Sequence, residues 1–452
     1  MQTQRDHVHA HQFMMGRLSS ALVQGDPSTA EIPGQRAVTG LAFGVLISVL
    51  VVAGFAVYGW IVPGGSKAYT KGGVILVEKE SGNRYVYLDG MLRPTPNLTS
   101  AMLIQGSGAT VKLISKESIK DVPRGPSIGI DGAPQSVATG SMVAGPWLAC
   151  LPGSVTDEPG DRLGLNLDPR AEAVPLPADR FAVVRAAADG PTYLVTAGRK
   201  HRVADPAVLV ALGATTTRKV PAPQDWLDFL PDGPDLAPAT IPGAGRSGRV
   251  GDKTYPIGTL FRQRPDTGAE QLLVLRRDGL APLSRTEFLL ATATSGEEPV
   301  ELSAADLAAA RMSADRSLLT RLPDLTGLTP QEPGPYALCL RQSAVDGTRF
   351  DSTAVLAPLA RSGVRPDGRA TVLTAPGSGM AVLPAPVGSG AAQPLPTYIA
   401  DDGKAYPIGD QDAVRALKLD RVVNVPFPRE LLALVPQGPA LSMRALAAAE
   451  VG

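Results

Sequence analysis

The sequence YVYLDG, residues 85–90, returns twice in altered form along this chain of 452 residues. The other two copies are YLVTAG, residues 193–198, and YIADDG, residues 398–403. Each copy begins with a tyrosine five residues before a glycine, which is the pattern of a strand that runs into a tight turn. Repetition of this kind predicts that the chain is built from small structural units of one type.

A proline-glycine motif follows each copy at a constant distance. The motifs are Pro-x-Gly-Pro at residues 123–126, 231–234 and 436–439. The glycine of each motif, called the exit glycine, lies 35 residues after the glycine that ends the preceding copy, called the turn glycine. We predict that each unit contains a strand, a glycine turn, a second strand, a short helix and this proline-rich exit. The glycines of this repeat signature are Gly90, Gly125, Gly198, Gly233, Gly403 and Gly438.

A degenerate copy lies between the second and the last. Val274 stands five residues before Gly279, and Asp278 precedes that glycine as in an Asp-Gly turn. Residues 302–310 have the composition of a helix, but no Pro-x-Gly-Pro motif follows them. We expect this copy to keep the turn and to lack the exit.

The two segments between the copies also resemble each other. GPWLACL at residues 145–151 matches GPYALCL at residues 334–340, and each carries one of the two cysteines at the same place. Each has the apolar run of a buried strand, and related strands in one sheet would bring Cys150 and Cys339 together. We predict a disulfide between them if the domain lies in an oxidising compartment, and two buried free thiols if it is cytosolic.

These segments follow the order repeat, gap, repeat, repeat, gap, repeat. We therefore predict an α+β fold, with a single transmembrane helix followed by an elongated, pseudo-two-fold outer domain of four small α/β repeats around a central β-sheet domain. The predicted boundaries are 1–36 for a cytosolic tail, 37–62 for the transmembrane helix, 74–127, 178–240, 250–322 and 376–441 for repeats 1 to 4, and 128–177 and 330–375 for the two parts of the central domain.

A run of 26 residues without a charge, residues 37–62, precedes the repeats. As a helix it is about 39 Å long at 1.5 Å per residue, enough to cross a hydrocarbon layer of about 30 Å. Tyr58 and Trp60 lie near one end, where aromatic rings favour the membrane interface. Two alternatives remain, a signal peptide cleaved near residues 66–68 and a buried core helix. The short tail before the run favours a cytoplasmic N-terminus.

Small residues form a stripe along this run, because Gly40, Gly44 and Ser48 recur every four residues. Such stripes let helices approach closely in lipid, so we predict a packing role in assembly. The alternative is that the stripe has no such role, since small residues are common in membrane helices.

Residues 12–24 of the tail have the pattern of a short amphipathic helix, which Gly25-Asp26-Pro27 ends. Its predicted face is expected to contact the membrane surface or a cytosolic partner. A solvated helix that frays is the alternative. The residues assigned to the partner face are Phe13, Arg17, Leu18 and Leu22.

The composition disfavours nucleic acid as a partner. Lys and Arg number 43, and Asp and Glu also number 43, so no net charge attracts a polyanion. Aromatic residues make up only 5% of the chain, which leaves few rings for base stacking.

Two glycine-rich motifs have the form of catalytic or nucleotide-binding sequences. GPSIG at residues 125–129 fits a nucleophile elbow, but Gly132 and Pro134 disfavour the helix that must follow it. GAGRSG at residues 243–248 fits a dinucleotide motif, but we interpret its surroundings, residues 231–256, as a proline-rich linker. The sequence contains no G-x-x-x-x-G-K-[ST] phosphate loop. We therefore predict no catalytic residue, no cofactor and no enzymatic activity.

Two further groups have side chains that can ligate a metal. His7, His9 and His11 alternate, so they do not share one helix face, and no cysteine or carboxylate completes a set. Asp401-Asp402-Gly403 offers too few oxygen ligands for calcium. We predict no metal site.

This layout resembles the EccB family, a core membrane component of the type VII (ESX) secretion system. Members have a short cytosolic tail, one transmembrane helix and an outer domain of four repeats around a disulfide-linked centre. In the tail, Phe13, Arg17, Ala21-Leu22 and Gly25-Asp26 match the family pattern. The family often carries a basic doublet there, whereas Met15-Gly16-Arg17 keeps only the arginine.

The resemblance implies a structural, non-catalytic subunit of an export complex in the inner membrane. Its expected partners are an EccC-like FtsK-type ATPase, an EccD-like polytopic protein, an EccE-like subunit and a mycosin protease. The outer domain is expected to form homo-oligomers and to contact the cell wall. Two alternatives are a stand-alone, membrane-anchored wall-binding protein and an extracytoplasmic ATPase, an activity ascribed to some members of the family.

Overall fold

The computed structural model describes residues 4–25, 35–61, 70–157, 162–186, 189–196, 198–265, 268–332, 334–386, 394–444 and 446. The chain divides into two compact units. The first consists of residues 1–71, 78–82 and 113–122, and the second contains the remaining residues.

Two helices make up most of the first unit. Helix α1, Gln4–Gln24, begins eight residues before the predicted tail helix, because its first residues include no helix breaker and Asp6 favours the positive end of the helix dipole. Helix α2, Gln35–Ile61, contains the uncharged run, and its residues 37–59 are apolar enough to cross a membrane. The predicted positions Asp26-Pro27, Val62 and 66–68 lie outside the described residues.

The first repeat forms a four-stranded sheet. Its elements are β1 (Val74–Glu78), β2 (Arg84–Leu88), β3 (Met91–Thr95), α3 (Leu98–Gln105) and β4 (Thr110–Ile114). The strand order is β3-β2-β1-β4. The turn between β2 and β3 has positive φ at both Asp89 and Gly90, 50° and 80°, which is the type I′ geometry that favours an Asp-Gly pair.

The second repeat has the same strand order. Three strands precede it, namely β5 (Trp147–Cys150), β6 (Gly164–Asn166) and β7 (Val174–Pro175). The repeat itself contains β8 (Arg180–Ala186), β9 (Thr192–Val195), β10 (Lys200–Arg202), α4 (Ala207–Ala211), β11 (Val220–Ala222) and α5 (Gln224–Asp228). Its sheet runs β10-β9-β8-β11, with β11 parallel to β8.

The third repeat follows a hairpin that the sequence did not predict. This hairpin, β12 (Ser247–Val250) and β13 (Lys253–Pro256), lies within the segment interpreted as a linker. The repeat contains β14 (Leu260–Gln263), β15 (Gln271–Arg276), β16 (Gly279–Pro282), α6 (Arg285–Ser295), β17 (Val300–Glu301) and α7 (Ala304–Ala309). Its order is β16-β15-β14-β17, with β17 parallel to β14. A short strand, β18 (Thr329–Pro330), then pairs with β8.

The fourth repeat completes the series. Before it come β19 (Tyr336–Ala344), β20 (Phe350–Pro358), α8 (Leu359–Ser362) and β21 (Val372–Leu373). The repeat contains β22 (Met380–Ala385), β23 (Thr397–Ile399), β24 (Ala405–Pro407), α9 (Gln411–Ala416), β25 (Val425–Pro428) and α10 (Arg429–Leu434). Its order is β24-β23-β22-β25, with β25 parallel to β22.

The central sheet is assembled from both gaps. Its order is β21-β6-β5-β19-β20-β7. Exchanging β5 and β6 for β19 and β20 maps the four antiparallel inner strands, β6-β5-β19-β20, onto themselves, so an approximate two-fold axis passes between β5 and β19. The outermost strands depart from this symmetry, because β21 is parallel to β6 whereas β7 is antiparallel to β20. The prediction of a mixed fold with one membrane-length helix and several small sheets is confirmed.

One face of the central sheet packs against repeats 2 and 4. Trp147 shares a core with Trp226 of repeat 2 and Phe427 of repeat 4, and all three side chains are fully buried. Burial of one such aromatic ring contributes roughly 3 kcal/mol. The opposite face forms a smaller core that contains Cys150 and Cys339.

The repeats also pack in pairs through their helices. Leu103 of α3 in repeat 1 shares a core with Ala413 of α9 in repeat 4. Leu209 of α4 in repeat 2 shares another with Leu290 of α6 in repeat 3. The two-fold relation therefore extends beyond the central sheet to the pairing of repeats.

Candidate functional site

A disulfide joins the two halves of the central sheet. Cys150 and Cys339 are directly opposite each other on β5 and β19, with their Sγ atoms 2.07 Å apart. Both side chains are fully buried. The bond lies where the approximate two-fold axis passes, and it spans 189 residues of sequence.

Buried polar bonds fix the aromatic face of the same sheet. Trp147 Nε1 donates to Gln342 Oε1 at 3.1 Å, and Gln342 Nε2 donates to Ser352 Oγ at 3.1 Å. Trp226 Nε1 of repeat 2 donates to the carbonyl oxygen of Ala149 at 2.9 Å. These three buried donor groups are therefore paired, which keeps the sheet and repeat 2 in one arrangement.

The exit glycines have a common backbone role. In repeat 4, Ala405 N donates to Pro436 O and Gly438 N donates to Ala405 O, both at 2.8 Å. In repeat 2, Lys200 makes the same two bonds with Pro231 and Gly233, at 3.0 and 2.7 Å. The exit is therefore held as a short parallel bridge beside the third strand of its repeat.

Side chains next to these bridges explain why glycine is needed. A Cβ atom on Gly438 would lie 2.2 Å from the ring of Tyr406, and one on Gly233 would lie 2.1 Å from the ring of His201. In repeat 1 the corresponding neighbour of Gly125 is the Arg93 side chain, at 3.1 Å. The side chain after the bridge residue, a ring in repeats 2 and 4 and an arginine in repeat 1, therefore occupies the space that a side chain at the exit would need.

Repeat 3 keeps the exit that its sequence was predicted to lack. Leu280 N donates to Arg311 O, and Ser313 N donates to Leu280 O, both at 2.8 Å. Ser313 therefore stands where the other repeats have the exit glycine, and Ala281 stands where they have Arg93, His201 or Tyr406. The small alanine leaves room for a serine, so the prediction of a missing exit was wrong.

The register of the repeat 3 turn also differs from the prediction. Because Leu280 is the bridge residue, Asp278 rather than Gly279 corresponds to the turn glycine of the other repeats. Ser313 Oγ donates to Asp278 Oδ2 at 2.7 Å, and this bond lowers the pKa of Asp278. A Cβ atom on Gly279 would lie 2.2 Å from Arg311 O, so this glycine serves the close approach of the exit strand.

The rings of the other exits are shielded from water. Burial is the main cause that raises the pKa of Tyr406 well above its usual value, and the hydrogen bond to Asp402 raises it further. In that bond Tyr406 Oη donates to Asp402 Oδ2 at 2.6 Å. Burial lowers the pKa of His201, whose Nδ1 lies 3.1 Å from Pro234 O. Both rings remain uncharged at neutral pH and act as packing elements.

The predicted membrane stripe lies on α2. An added Cβ on Gly40 or on Gly44 would meet no atom within 4 Å, and Ser48 Oγ donates to Gly44 O at 2.9 Å. The stripe therefore leaves a smooth surface that another helix can approach. Its role in packing stays a prediction.

The predicted partner face lies on α1. Phe13, Leu18 and Leu22 are 55%, 61% and 79% exposed. The guanidinium of Arg17 lies 5.9 Å from the centre of the Phe13 ring. This apolar surface is open, and its contact with a partner stays a prediction.

The two glycine-rich motifs have structural explanations. Ser127 of GPSIG donates to Pro94 O at 3.2 Å, and residues 128–146 contain no helix. In GAGRSG, Ala244 N and Gly245 N donate to Ile241 O and Ile257 O, at 3.1 and 2.9 Å. These amides are already used within the protein, so they do not form a phosphate cradle.

The described part of the chain also contains no group of three or more His, Cys, Asp or Glu side chains arranged for a metal ion. His7, His9 and His11 lie on α1, and all three are exposed.

A family model described as "Type VII secretion system ESX-1, transport TM domain B" matches residues 1–451. The chain belongs to the EccB family. It is thus a membrane component of a type VII secretion system, as the resemblance predicted.

Curated EccB relatives align along nearly the whole chain. The ESX-1 secretion system ATPase EccB1 of Mycolicibacterium smegmatis (strain MKD8) is 29% identical, over 98% of this chain and 94% of its own. The protein of that name from Mycobacterium tuberculosis (strain ATCC 25618 / H37Rv) is 27% identical, over 97% and 93%.

Chains in two solved ESX structures have a similar fold. A chain from the structure of the EccB3 dimer of the ESX-3 core complex is 25% identical, with a TM-score of 0.54, over 82% of this chain and 98% of that one. A chain from the periplasmic assembly of the ESX-5 inner membrane complex is 24% identical, with a TM-score of 0.59, over 84% and 96%.

The names of the EccB relatives correct one prediction. The sequence was predicted to have no enzymatic activity, whereas the relatives from the ESX-1, ESX-5 and ESX-3 systems are all named ATPases. The absence of a phosphate-loop motif therefore did not justify excluding catalysis in this family.

Proposed function

We propose that this EccB chain links the membrane core of an ESX export complex to the part of the complex outside the membrane. The observation that carries the proposal is that one chain contains both the membrane-length helix α2 and four repeats around a disulfide-joined sheet. The EccB family match extends over both parts.

The disulfide supports a definite orientation. Disulfides persist in oxidising compartments and are rare in the cytosol, so the repeats and the central sheet belong outside and α1 belongs inside. A C-terminal tag on intact spheroplasts should be removed by added protease. Protection of the tag until the cells are lysed would reverse the orientation.

The open face of α1 supports a cytosolic contact with an EccC-like FtsK-type ATPase. Leu18 and Leu22 present their side chains to solvent, and burial of such side chains is a common source of binding energy. Leu18→Asp with Leu22→Asp should release that ATPase from the purified complex. Gln12→Asp is the matched control, because Gln12 is exposed on the same helix and lies outside the assigned partner face.

The stripe on α2 supports packing within the membrane, against an EccD-like polytopic protein or a second copy of the chain. Gly40→Leu with Gly44→Leu should weaken the complex, because the added side chains separate the helices. Val45→Leu, which changes an exposed apolar residue outside the stripe, should leave it intact.

The whole proposal can be tested by purifying the chain through a C-terminal tag in mild detergent. Native electrophoresis followed by mass spectrometry should give a megadalton-scale band that also contains an FtsK-like ATPase, a polytopic protein, an EccE-like subunit and a mycosin protease. A band of monomer or dimer size without membrane partners would favour a stand-alone wall-binding protein instead.

A further inference from the structure

An open cleft lies beside α8, at one end of the central sheet. Its volume is about 600 Å³, within the range of about 300–1,000 Å³ that is usual for small-molecule sites. Most of its wall is apolar and comes from Leu359, Val364, Pro366 and Leu373. We call it the Arg365 cleft, because Arg365 is its only charged lining residue.

The floor of the Arg365 cleft is continuous with the disulfide core. Val364 is a buried member of the core that contains Cys150 and Cys339, and Leu359 packs against that core. A wall backed by a cross-linked sheet is held in place before any ligand arrives. Such preorganisation lowers the entropic cost of binding.

The other polar groups at the cleft already have partners within the protein. Thr371 Oγ1 donates to Gly363 O at 3.2 Å, and Thr371 N donates to the same oxygen at 2.7 Å. The amide of Arg365 donates to Arg369 O at 2.9 Å. These groups contribute shape to the cleft, and their hydrogen-bonding capacity is largely used.

The Arg365 guanidinium differs from these groups. Arg365 is exposed, and no ion pair between described residues includes it, whereas the neighbouring Arg369 pairs with Asp367 at 3.7 Å. A guanidinium presents donors in a planar fork that matches a carboxylate. One unpaired cation beside an apolar wall is complementary to one anionic group on an apolar body.

We propose that the Arg365 cleft binds a compact carboxylate with an apolar body. The carboxylate pairs with the Arg365 guanidinium, and the apolar part lies against Leu359, Val364 and Leu373. A single positive charge matches a carboxylate better than a doubly charged phosphate. The carboxyl end of an apolar peptide and a small free acid share this chemistry.

A second cleft provides an internal contrast. It has a volume of about 440 Å³, aromatic lining from Phe229 and Phe350, and two carboxylates at Asp228 and Glu430. Its one lining arginine, Arg349, is paired with Asp346, with Nε 2.7 Å from Oδ2. This acidic cleft should repel the same ligand.

The test uses the full chain in phosphatidylcholine nanodiscs, with empty nanodiscs to measure partitioning. The probes are acetyl-Leu-Val with a free carboxylate, its carboxyl-terminal amide, and 4-phenylbutyrate, each followed by saturation-transfer NMR and calorimetry. We expect an acid to bind and the amide to bind at least tenfold more weakly, since an amide cannot form the charge-assisted hydrogen bonds that a carboxylate forms with a guanidinium. Binding by the peptide acid alone identifies a polypeptide end as the source; binding by phenylbutyrate alone identifies a small acid.

Three variants locate the site. Arg365→Gln should weaken acid binding about tenfold, and Ala360→Trp should block the cleft without disturbing the fold, because Ala360 is exposed and lines the opening. Arg369→Gln is the matched control and should bind as the unmodified chain does. Equal binding of acid and amide, unchanged binding by Arg365→Gln, or no binding of either acid overturns the proposal.

Discussion

Repeats 3 and 4 reach the same exit geometry with different side chains. In repeat 4 the ring of Tyr406 fills the space beside Gly438, and its hydroxyl donates to the turn carboxylate of Asp402. In repeat 3 the space beside Ala281 admits Ser313, and the serine hydroxyl donates to the turn carboxylate of Asp278. The backbone bridge is the same in both repeats. The hydroxyl that donates to the turn carboxylate comes from the third strand in repeat 4 and from the exit segment in repeat 3.

The largest expected effect comes from adding a side chain to the repeat 4 exit. Gly438→Ala places a Cβ 2.2 Å from the buried Tyr406 ring, which should lower the free energy of unfolding by roughly 1–3 kcal/mol. Denaturant unfolding of the two chains measures it. Gly125→Ala is the control at the exit of repeat 1 and should cost less, because its Cβ would meet only the flexible Arg93 side chain, at 3.1 Å; an equal loss would show that the Tyr406 ring does not set the requirement for glycine.

A double change should convert one exit type into the other. Tyr406→Ala removes a ring and Gly438→Ser adds a hydroxyl, which reproduces the residue types of repeat 3. The pair should lose less stability than the sum of the two single changes, with a coupling of about 0.5–3 kcal/mol. Additive losses would mean that ring and exit residue do not share one space.

A smaller effect is expected from the repeat 3 hydroxyl alone. Ser313 is buried, and Ser313→Ala removes both its donor to Asp278 and its acceptor for Asp315 N, 3.2 Å away, without changing the backbone bridge. The free energy of unfolding should fall by about 1 kcal/mol. Ser317→Ala is a surface control in the same segment and should cost less. If the Ser313→Ala chain is as stable as the original, the Ser313 hydroxyl does not stabilise the repeat 3 exit.

The smallest effect concerns pH. The bond from Ser313 lowers the pKa of Asp278 in the folded chain, so its contribution to stability is present above the ordinary pKa of an aspartate. That contribution is lost as the pH falls through the lowered pKa. NMR titration of the Asp278 side chain should show the pKa rising in Ser313→Ala, and an unchanged titration would contradict the assignment.

The sequence predicted those parts of the fold that depend on residue type at fixed spacing. Three exits share Pro-x-Gly-Pro and were found from it, and the matched cysteines predicted that Cys150 and Cys339 lie together. The sequence did not predict the repeat 3 exit because this repeat differs from the others at two contacting positions. It has Ala281 where they have a larger side chain, and Ser313 where they have the exit glycine. The signal was present in spacing alone, since Arg311 follows Leu280 at the distance that separates Pro436 from Ala405.

Other features depend on contacts that the sequence does not specify. The segment at 231–256 was interpreted as a linker because it is rich in glycine and proline, yet β12 and β13 pair within it. The approach of Gly248 to Leu275, 2.9 Å from an added Cβ, is a tertiary contact. The Arg365 cleft likewise forms only when α8 and the segment after it fold against the disulfide core.

The Cys150–Cys339 bond also determines how the chain would carry a mechanical load. If α2 is anchored and the last repeat is pulled, tension along the backbone crosses from Cys150 to Cys339 through the sulfur atoms. The intervening residues, with repeats 2 and 3, form a closed loop that is shielded from the pull. Only repeats 1 and 4 and the outer ends of the central domain lie on the force-bearing path, so stretching a single molecule should release repeats 2 and 3 only after the bond is reduced.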